Sequence, residues 1–562
     1  MKIETVKYSI SGMTCDHCAK SIEKALDSKI GIVDKSVSYR DAVGEFQFDS
    51  SVISKDGIAK MINTTHYKVV DEIIVNNDRN NNIDEHSEDT INNKQESNYD
   101  YDLIIIGGGS AAFSAAIKAS SLDKKTLMIN DGLPIGGSCV NVGCVPSKTL
   151  IRNAEQLYNS NNPNFTGINP GNNGLNFKEA IRQKTELVED LRQGKYIDVL
   201  KDDENVTILK GRAEQVDKKT VSVGSDNYSA ANILISTGSS TFIPDIPGLN
   251  DVGYLTNETL YDLEELPEHL IVLGGRYIAL ENAQLFSRLG AKVTILQRSN
   301  RIIPDEMTDV SGYLTDYLIE ENINIKTGVK INSVKEENGN IVIKASVKDE
   351  DEVIEGSHIF IATGRKGNSS NFSKLGIELV GNGFVKTNVY LQTSIPNIYA
   401  AGDITGEYLF VYSAAYEGAL AVENMFTDSK RKKDYSVFPW VVFTDPQVAG
   451  VGMDENQAYA NKIEYDVSTV FLEDVPRSLA ARNTKGFIKL LRDKNSDKLI
   501  GARILASEGS ELLMELSMAI KYGITVKELK QMFHPYLTLS EGVKLAAISF
   551  DMDVHKLSCC AV

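Results

Sequence analysis

No run of about eighteen apolar residues occurs in the 562-residue chain, so the sequence offers no helix suited to crossing a membrane. The start, "MKIETVKYSI", lacks a basic-then-apolar layout, and a cytoplasmic location is expected. Basic charge is also short. There are 59 Lys and Arg against 77 Asp and Glu, a net charge of −18, which argues against nucleic acid as the main partner. Cysteine is scarce too, with six in the whole chain, too few for a disulfide scaffold. Yet none of the six stands alone. They fall into three close pairs: Cys15 with Cys18, Cys139 with Cys144, and Cys559 with Cys560 in the closing "SCCAV".

A chain this long divides into several cores. Residues 1–70 read as a small α/β module: a strand, the loop "GMTCDHC", a helix with Ile22, Ala25 and Leu26 at helical spacing, then two alternating strand-like runs. Residues 71–98 are expected to be a linker. Within it, residues 76–98 hold eight Asn and two aliphatics, Ile83 and Ile91, too little apolar surface to offset the entropy of ordering. A coil of that length spans roughly 25 Å and keeps the first module close to the rest. The remainder reads as α/β. Its expected divisions are 99–265 and 385–433 as one nucleotide-binding domain, 266–384 as a second, 434–550 as a terminal α+β domain, and 551–562 as a cysteine tail.

Two strand–turn–helix patterns carry nucleotide chemistry. In "LIIIGGGSAA", Gly107, Gly109 and Ala112 form a G-x-G-x-x-A turn that lets backbone approach a pyrophosphate at a helix start. The strand after it ends in Asn130 and Asp131, so the acidic grip on the ribose is replaced by an amide or displaced by one residue. In the second turn, Gly274-Gly275-Arg276-Tyr277-Ile278-Ala279, an arginine takes the middle glycine's place. It either crowds the backbone's approach or reaches a phosphate with its side chain. Gln297 stands where an NAD site places a carboxylate, and Arg298 and Arg301 follow. Guanidinium groups suit a 2′-phosphate, which favours NADPH over NADH.

Between these signals lies "GGSCVNVGCVPSKTL", with Cys139 and Cys144 five apart at a helix start and Lys148 close by. Helix amides and a nearby ammonium lower a thiol's pKa. This stretch resembles the flavin-dependent disulfide oxidoreductases, the family of glutathione reductase and dihydrolipoamide dehydrogenase. The likeness extends over residues 99 to about 550 through "ISTGS", "IATGR" and "TSIPNIYAAGD". It implies a fold of two Rossmann-like domains, for FAD and NAD(P), and a dimerisation domain. It implies cofactor contacts at Gly137, Ser138, Thr237, Gly238, Gly364 and Asp403, and Lys148 with Glu281 beside the flavin ring. Cys144 would then be the sulfur next to the flavin and Cys139 the one meeting substrate.

Members of that family commonly end with a His–Glu dyad; here "HPYLTLSEG" places Tyr536, not His534, five residues before Glu541. A phenol with pKa of about 10 is poorly suited to shuttling protons near neutrality. A local kink bringing His534 back to the dyad is the alternative. "GMTCDHC" resembles the ferredoxin-like (βαββαβ) heavy-metal carriers, whose two thiolates favour soft cations such as Cu(I) or Hg(II).

Taken together, the carrier, the reductase body, the tyrosine and the paired-cysteine tail resemble the mercuric reductases. That resemblance implies a homodimer in which the tail reaches the partner's dithiol and Tyr196 joins Tyr536 around the ion. It also implies a relay of Hg(II) from Cys15 and Cys18 through Cys559 and Cys560 to Cys139 and Cys144, with FAD and NADPH supplying electrons. A mercury uptake transporter is a possible partner. Two rival readings stay open: a thioredoxin reductase-like enzyme using the tail pair, and a non-enzymatic soft-metal buffer.

Overall fold

The computed structural model describes residues 2–11, 13, 19, 22, 23, 26, 31–39, 42–63, 67–73 and 99–556, apart from 172, 371, 373 and 374. Cys15, Cys18, Cys559, Cys560 and the segment 76–98 lie outside the described residues. The chain forms two compact units, Met1–Lys94 and Gln95–Val562.

In the first unit the strands Ile32–Ser38, Val43–Asp49, Ile3–Ser11 and Lys68–Ile73 lie in that order in one antiparallel sheet. Strand Ile3–Ser11 alternates inward Val6, Tyr8 and Ile10 with outward residues, the period-two signature of a half-buried strand. Those side chains meet Phe46 and Phe48 of the neighbouring strand and Ile58 and Ile62 of helix Lys55–Asn63.

The second unit is built on two parallel sheets. In the first, Val206–Lys210, Thr126–Asn130, Tyr101–Ile106 and Asp226–Ile235 run side by side, and Ile398–Ala400 pairs with the last. Buried on both faces, the Leu103–Ile106 part of strand Tyr101–Ile106 reads as a continuous apolar run rather than an alternating one. Helix Ser110–Ser120 crosses helix Val411–Phe426 so closely that a Cβ on Gly418 would come within 2.1 Å of the Ala111 carbonyl. The second sheet orders Asn324–Thr327, Lys292–Gln297, His269–Leu273 and His358–Ile361, all parallel. A five-stranded antiparallel sheet follows, from Trp440–Val442 to Leu499–Ala506, with helices Leu513–Lys521 and Leu539–Ile548 over its core.

Large apolar side chains stay exposed along this last domain: Met514, Met518, Tyr522, Phe533, Tyr536 and Leu537 are each at least 43% accessible, and Phe533 is 100% accessible. No helix of the described residues is long and apolar enough to cross a membrane.

Candidate active site

Cys139 sits in the short helix Gly137–Val142, and Cys144 is the first residue of the 18-residue helix Cys144–Asn161. Gly143 joins the two helices. A Cβ there would lie 2.8 Å from the Ser138 carbonyl, so the absent side chain is what lets the chain fold back and bring the thiols together. The two cysteines are free thiols within hydrogen-bonding reach. Their acidities separate. The Cys139 thiol donates to Cys144, and with the Lys148 ammonium this holds Cys144 down at about 7, against burial and the Glu281 carboxylate. Cys139, which gives up its hydrogen bond if it ionises and is partly buried, is pushed well up. The lowered pKa expected for the pair therefore falls on Cys144 alone, the cysteine at the positive end of the long helix.

Lys148 lies one turn along that helix and donates to Glu281 Oε2 at 2.7 Å, with its ammonium 4.7 Å from the centre of the Phe443 ring. Glu281, buried in helix Tyr277–Leu289, also accepts from the Phe443 amide at 2.9 Å. Two residues 133 apart in sequence are thus fixed at the dithiol by the packing of two helices.

Tyr196 reaches the same place by a route hidden from the sequence. Helix Phe177–Arg192 runs on into a π-helical segment, Gln193–Ile197. Such a segment turns a side chain off the regular helical stripe and recurs at functional sites. Here the Tyr196 ring meets Phe113 edge-on at 5.0 Å, and its hydroxyl lies 3.4 Å from Ser110 Oγ. Burial raises its pKa, as do the nearby sulfurs of Cys139 and Cys144.

The dinucleotide turns have the shape their chemistry needs. Gly107 has φ +126°, and a Cβ on it would stand 2.3 Å from the Ser236 carbonyl. Gly137, with φ +63°, presses against Gly109: its Cβ would be 2.7 Å from that Cα. Ala112 is fully buried in the helix that follows the turn. The Asn130 amide donates to the Leu133 carbonyl at 3.0 Å, while its oxygen faces Gly108 of the turn. Asp403 is half-buried, accepts from Ser239 Oγ at 2.8 Å, and is pushed up in pKa by desolvation. Gly238 and Gly364 take the left-handed conformations of their turns, and Thr237 Oγ1 donates to the Asn368 carbonyl. These residues fit FAD: backbone cleared for a pyrophosphate, an amide oxygen for a ribose and a half-buried carboxylate able to accept from hydroxyls.

At the second turn Gly274 has φ +121°, Gly275 packs on Gln297, and buried Ala279 follows in the first helical turn. Arg298 is exposed, and its side chain pairs with none of the described residues. Arg301 Nη2 turns back to donate to the carbonyls of Pro304 and Glu306 at 2.7 and 3.0 Å and so braces the loop.

The dyad is not rebuilt. His534 Nε2 pairs with Glu515 at 2.6 Å, and Glu541 accepts instead from the Leu537 amide at 3.0 Å. Tyr536, half exposed, occupies the turn between them.

The pyridine nucleotide-disulphide oxidoreductase family model matches residues 101–418, and the dimerisation domain model of the same family matches residues 438–547. The chain is 38% identical to mercuric reductase of Staphylococcus aureus over 100% of both chains. It is 40% identical to mercuric reductase of Lysinibacillus sphaericus over 99% of both. Among solved structures, the HOCl-induced flavoprotein disulfide reductase RclA from Escherichia coli superposes with a TM-score of 0.72 at 27% identity, covering 80% of this chain and 99% of that one. The chain belongs to the pyridine nucleotide-disulphide oxidoreductase family, an enzyme family that uses FAD and a nicotinamide coenzyme. Across its full length it groups with the mercuric reductases of that family.

Proposed function

We propose that this protein is a homodimeric, cytoplasmic mercury(II) reductase that converts thiol-bound Hg(II) to volatile Hg(0) with electrons from NADPH. The carrying observation is a thiolate–thiol pair without a histidine–carboxylate dyad. The Cys139 thiol bonds to Cys144, whose pKa that bond and Lys148 hold down at about 7, while His534 and Glu541 each bond elsewhere. Disulfide exchange needs a proton shuttle for the leaving thiol. Binding a soft cation needs two sulfurs, one already a thiolate.

Hg(II) prefers linear coordination by two sulfurs, so it moves by associative exchange, the new thiolate bonding before the old one leaves. The Cys139 sulfur meets the incoming bis-thiolate and bonds to mercury as its proton passes to the departing ligand, which leaves as a free thiol. The Cys144 thiolate then replaces the second ligand, which departs as thiolate. Lys148 steadies the thiolate, and Tyr196 closes the dithiol against Phe113 and Gly136. FAD, held at the first dinucleotide turn, would supply two electrons drawn from NADPH; Hg(0) leaves as a neutral atom and both sulfurs are returned, Cys139 taking up the proton released from NADPH.

Cys15 and Cys18 would capture the ion, and Cys559 and Cys560 would pass it to the dithiol. Adjacent cysteines cannot easily span a linear ion, which makes the tail a transfer station rather than a resting place. Mercury(II) bound to small thiols is the expected substrate, and an uptake transporter the expected donor. The test is NADPH oxidation by the purified yellow protein with Hg(II) in excess thiol, the headspace assayed for mercury vapour. Hg(II)-dependent oxidation with Hg(0) release is expected. Oxidation only with thioredoxin or a low-molecular-weight disulfide would overturn the proposal.

A further inference from the structure

The arginine in the second dinucleotide turn has a partner, and that partner is itself held in place. Arg276 stands at the head of the 13-residue helix Tyr277–Leu289 with extended φ and ψ of −107° and −171°. A side chain is free of strain there, unlike at Gly274. Its guanidinium makes a two-pronged contact with the Asp305 carboxylate, Nη2 donating to Oδ1 at 3.0 Å and Nη1 to Oδ2. Both side chains are more than half exposed.

The loop carrying Asp305 is braced at several points. Ile303 donates its amide to the Gly275 carbonyl at 2.8 Å, tying the loop to the turn itself. Arg301 holds the carbonyls on either side of Asp305. The next residue, Glu306, accepts from buried Arg503 Nε at 2.7 Å. A fixed carboxylate thus faces the turn where the coenzyme's diphosphate would meet backbone amides, and it occupies the guanidinium of Arg276.

Resting on the NADPH reading above, we propose that Arg276 is a ligand for the coenzyme's diphosphate, held in reserve by Asp305, which sets coenzyme affinity by competing for it. An exposed ion pair is weak, and a phosphate offers the same two-pronged acceptor with more charge, so the exchange runs toward the dinucleotide. Removing Asp305 frees Arg276 and also lifts a carboxylate away from the phosphates. Both effects tighten binding.

The experiment is calorimetric titration of the oxidised, FAD-loaded full-length protein with NADP⁺ and separately with NAD⁺. Fluorescence of Trp440, the single tryptophan, gives a second readout because its ring stacks on Tyr277, 5.6 Å away and next to Arg276. Arg276→Ala should weaken both dinucleotides by the same factor, about tenfold, since both carry the diphosphate. Arg276→Lys should fall between it and the parent protein. Asp305→Asn should tighten both by about threefold. Arg298→Ala should weaken NADP⁺ alone. If Arg276→Ala and Asp305→Asn leave both dissociation constants unchanged, the pair is a surface salt bridge and the proposal fails. It fails also if Arg276→Ala weakens NADP⁺ only, which would make Arg276 a reader of the 2′-phosphate. Failure of the parent protein to bind either dinucleotide would instead overturn the coenzyme reading itself.

Discussion

Lys148 Nζ lies 2.7 Å from Glu281 Oε2, so the cation that favours the Cys144 thiolate is itself partly neutralised by a buried carboxylate. The two charges oppose each other at one sulfur. Lys148→Met should raise the Cys144 pKa from about 7 by roughly one unit, because an ammonium within a few ångströms stabilises the thiolate by about that much. Glu281→Gln should lower it. The pH dependence of alkylation of the reduced protein by iodoacetamide reads both directions, and equal profiles for the two variants would contradict the arrangement.

Cys139 donates to Cys144 and is the second sulfur for a linear ion. Cys139→Ala should therefore raise the Cys144 pKa and abolish Hg(II)-dependent NADPH oxidation while FAD stays bound. A parallel visible spectrum and turnover assay check it. Replacing Cys559 and Cys560 by Ala should slow turnover of thiol-ligated Hg(II), and unchanged rates would remove the tail from the relay.

Glu417 is fully buried, accepts from the Gly402 amide at 2.7 Å and from the Tyr435 hydroxyl, and burial pushes its pKa up to about 7. In the unfolded chain it would titrate near 4.5. Between those values the folded protein binds the extra proton, so its contribution is present below about pH 4.5 and is lost as pH rises through about 7, on the order of 3 kcal/mol. Glu417→Gln should flatten this fall. Thermal unfolding at pH 5 and pH 8 should show a smaller difference for the variant than for the parent protein.

Phe533 is fully exposed in the single chain, within a domain whose family role is dimerisation. Phe533→Ser should leave the chain folded and shift it toward monomer. Losing burial of one phenyl ring per subunit costs about 1.5–3 kcal/mol, so the dimer dissociation constant should rise by at least tenfold. Sedimentation velocity at several concentrations measures it.

Much of this site is legible in the chain as written because its signals are local. The glycines at 107 and 274 announce turns that only φ above zero can make, and the cysteines at 139 and 144 announce a helix start. What depends on distant segments was not legible. No spacing rule shows that Arg301 would turn its Nη2 back onto two carbonyls of its own loop. The local text around His534 does not reveal Glu515, which meets it from helix Leu513–Lys521.

The sequence by itself determined the local chemistry: soft thiols in pairs, two glycine turns between strand and helix, and a tyrosine in place of the dyad histidine. The tertiary structure decided which group holds which charge. It assigned the thiolate to Cys144 rather than Cys139, swung Tyr196 to the dithiol through a π-helical turn, and set Asp305 against Arg276. The physical reason is that turns and helix starts depend on neighbours along the chain. Acidity and ion pairing depend on burial and on charges brought from hundreds of residues away.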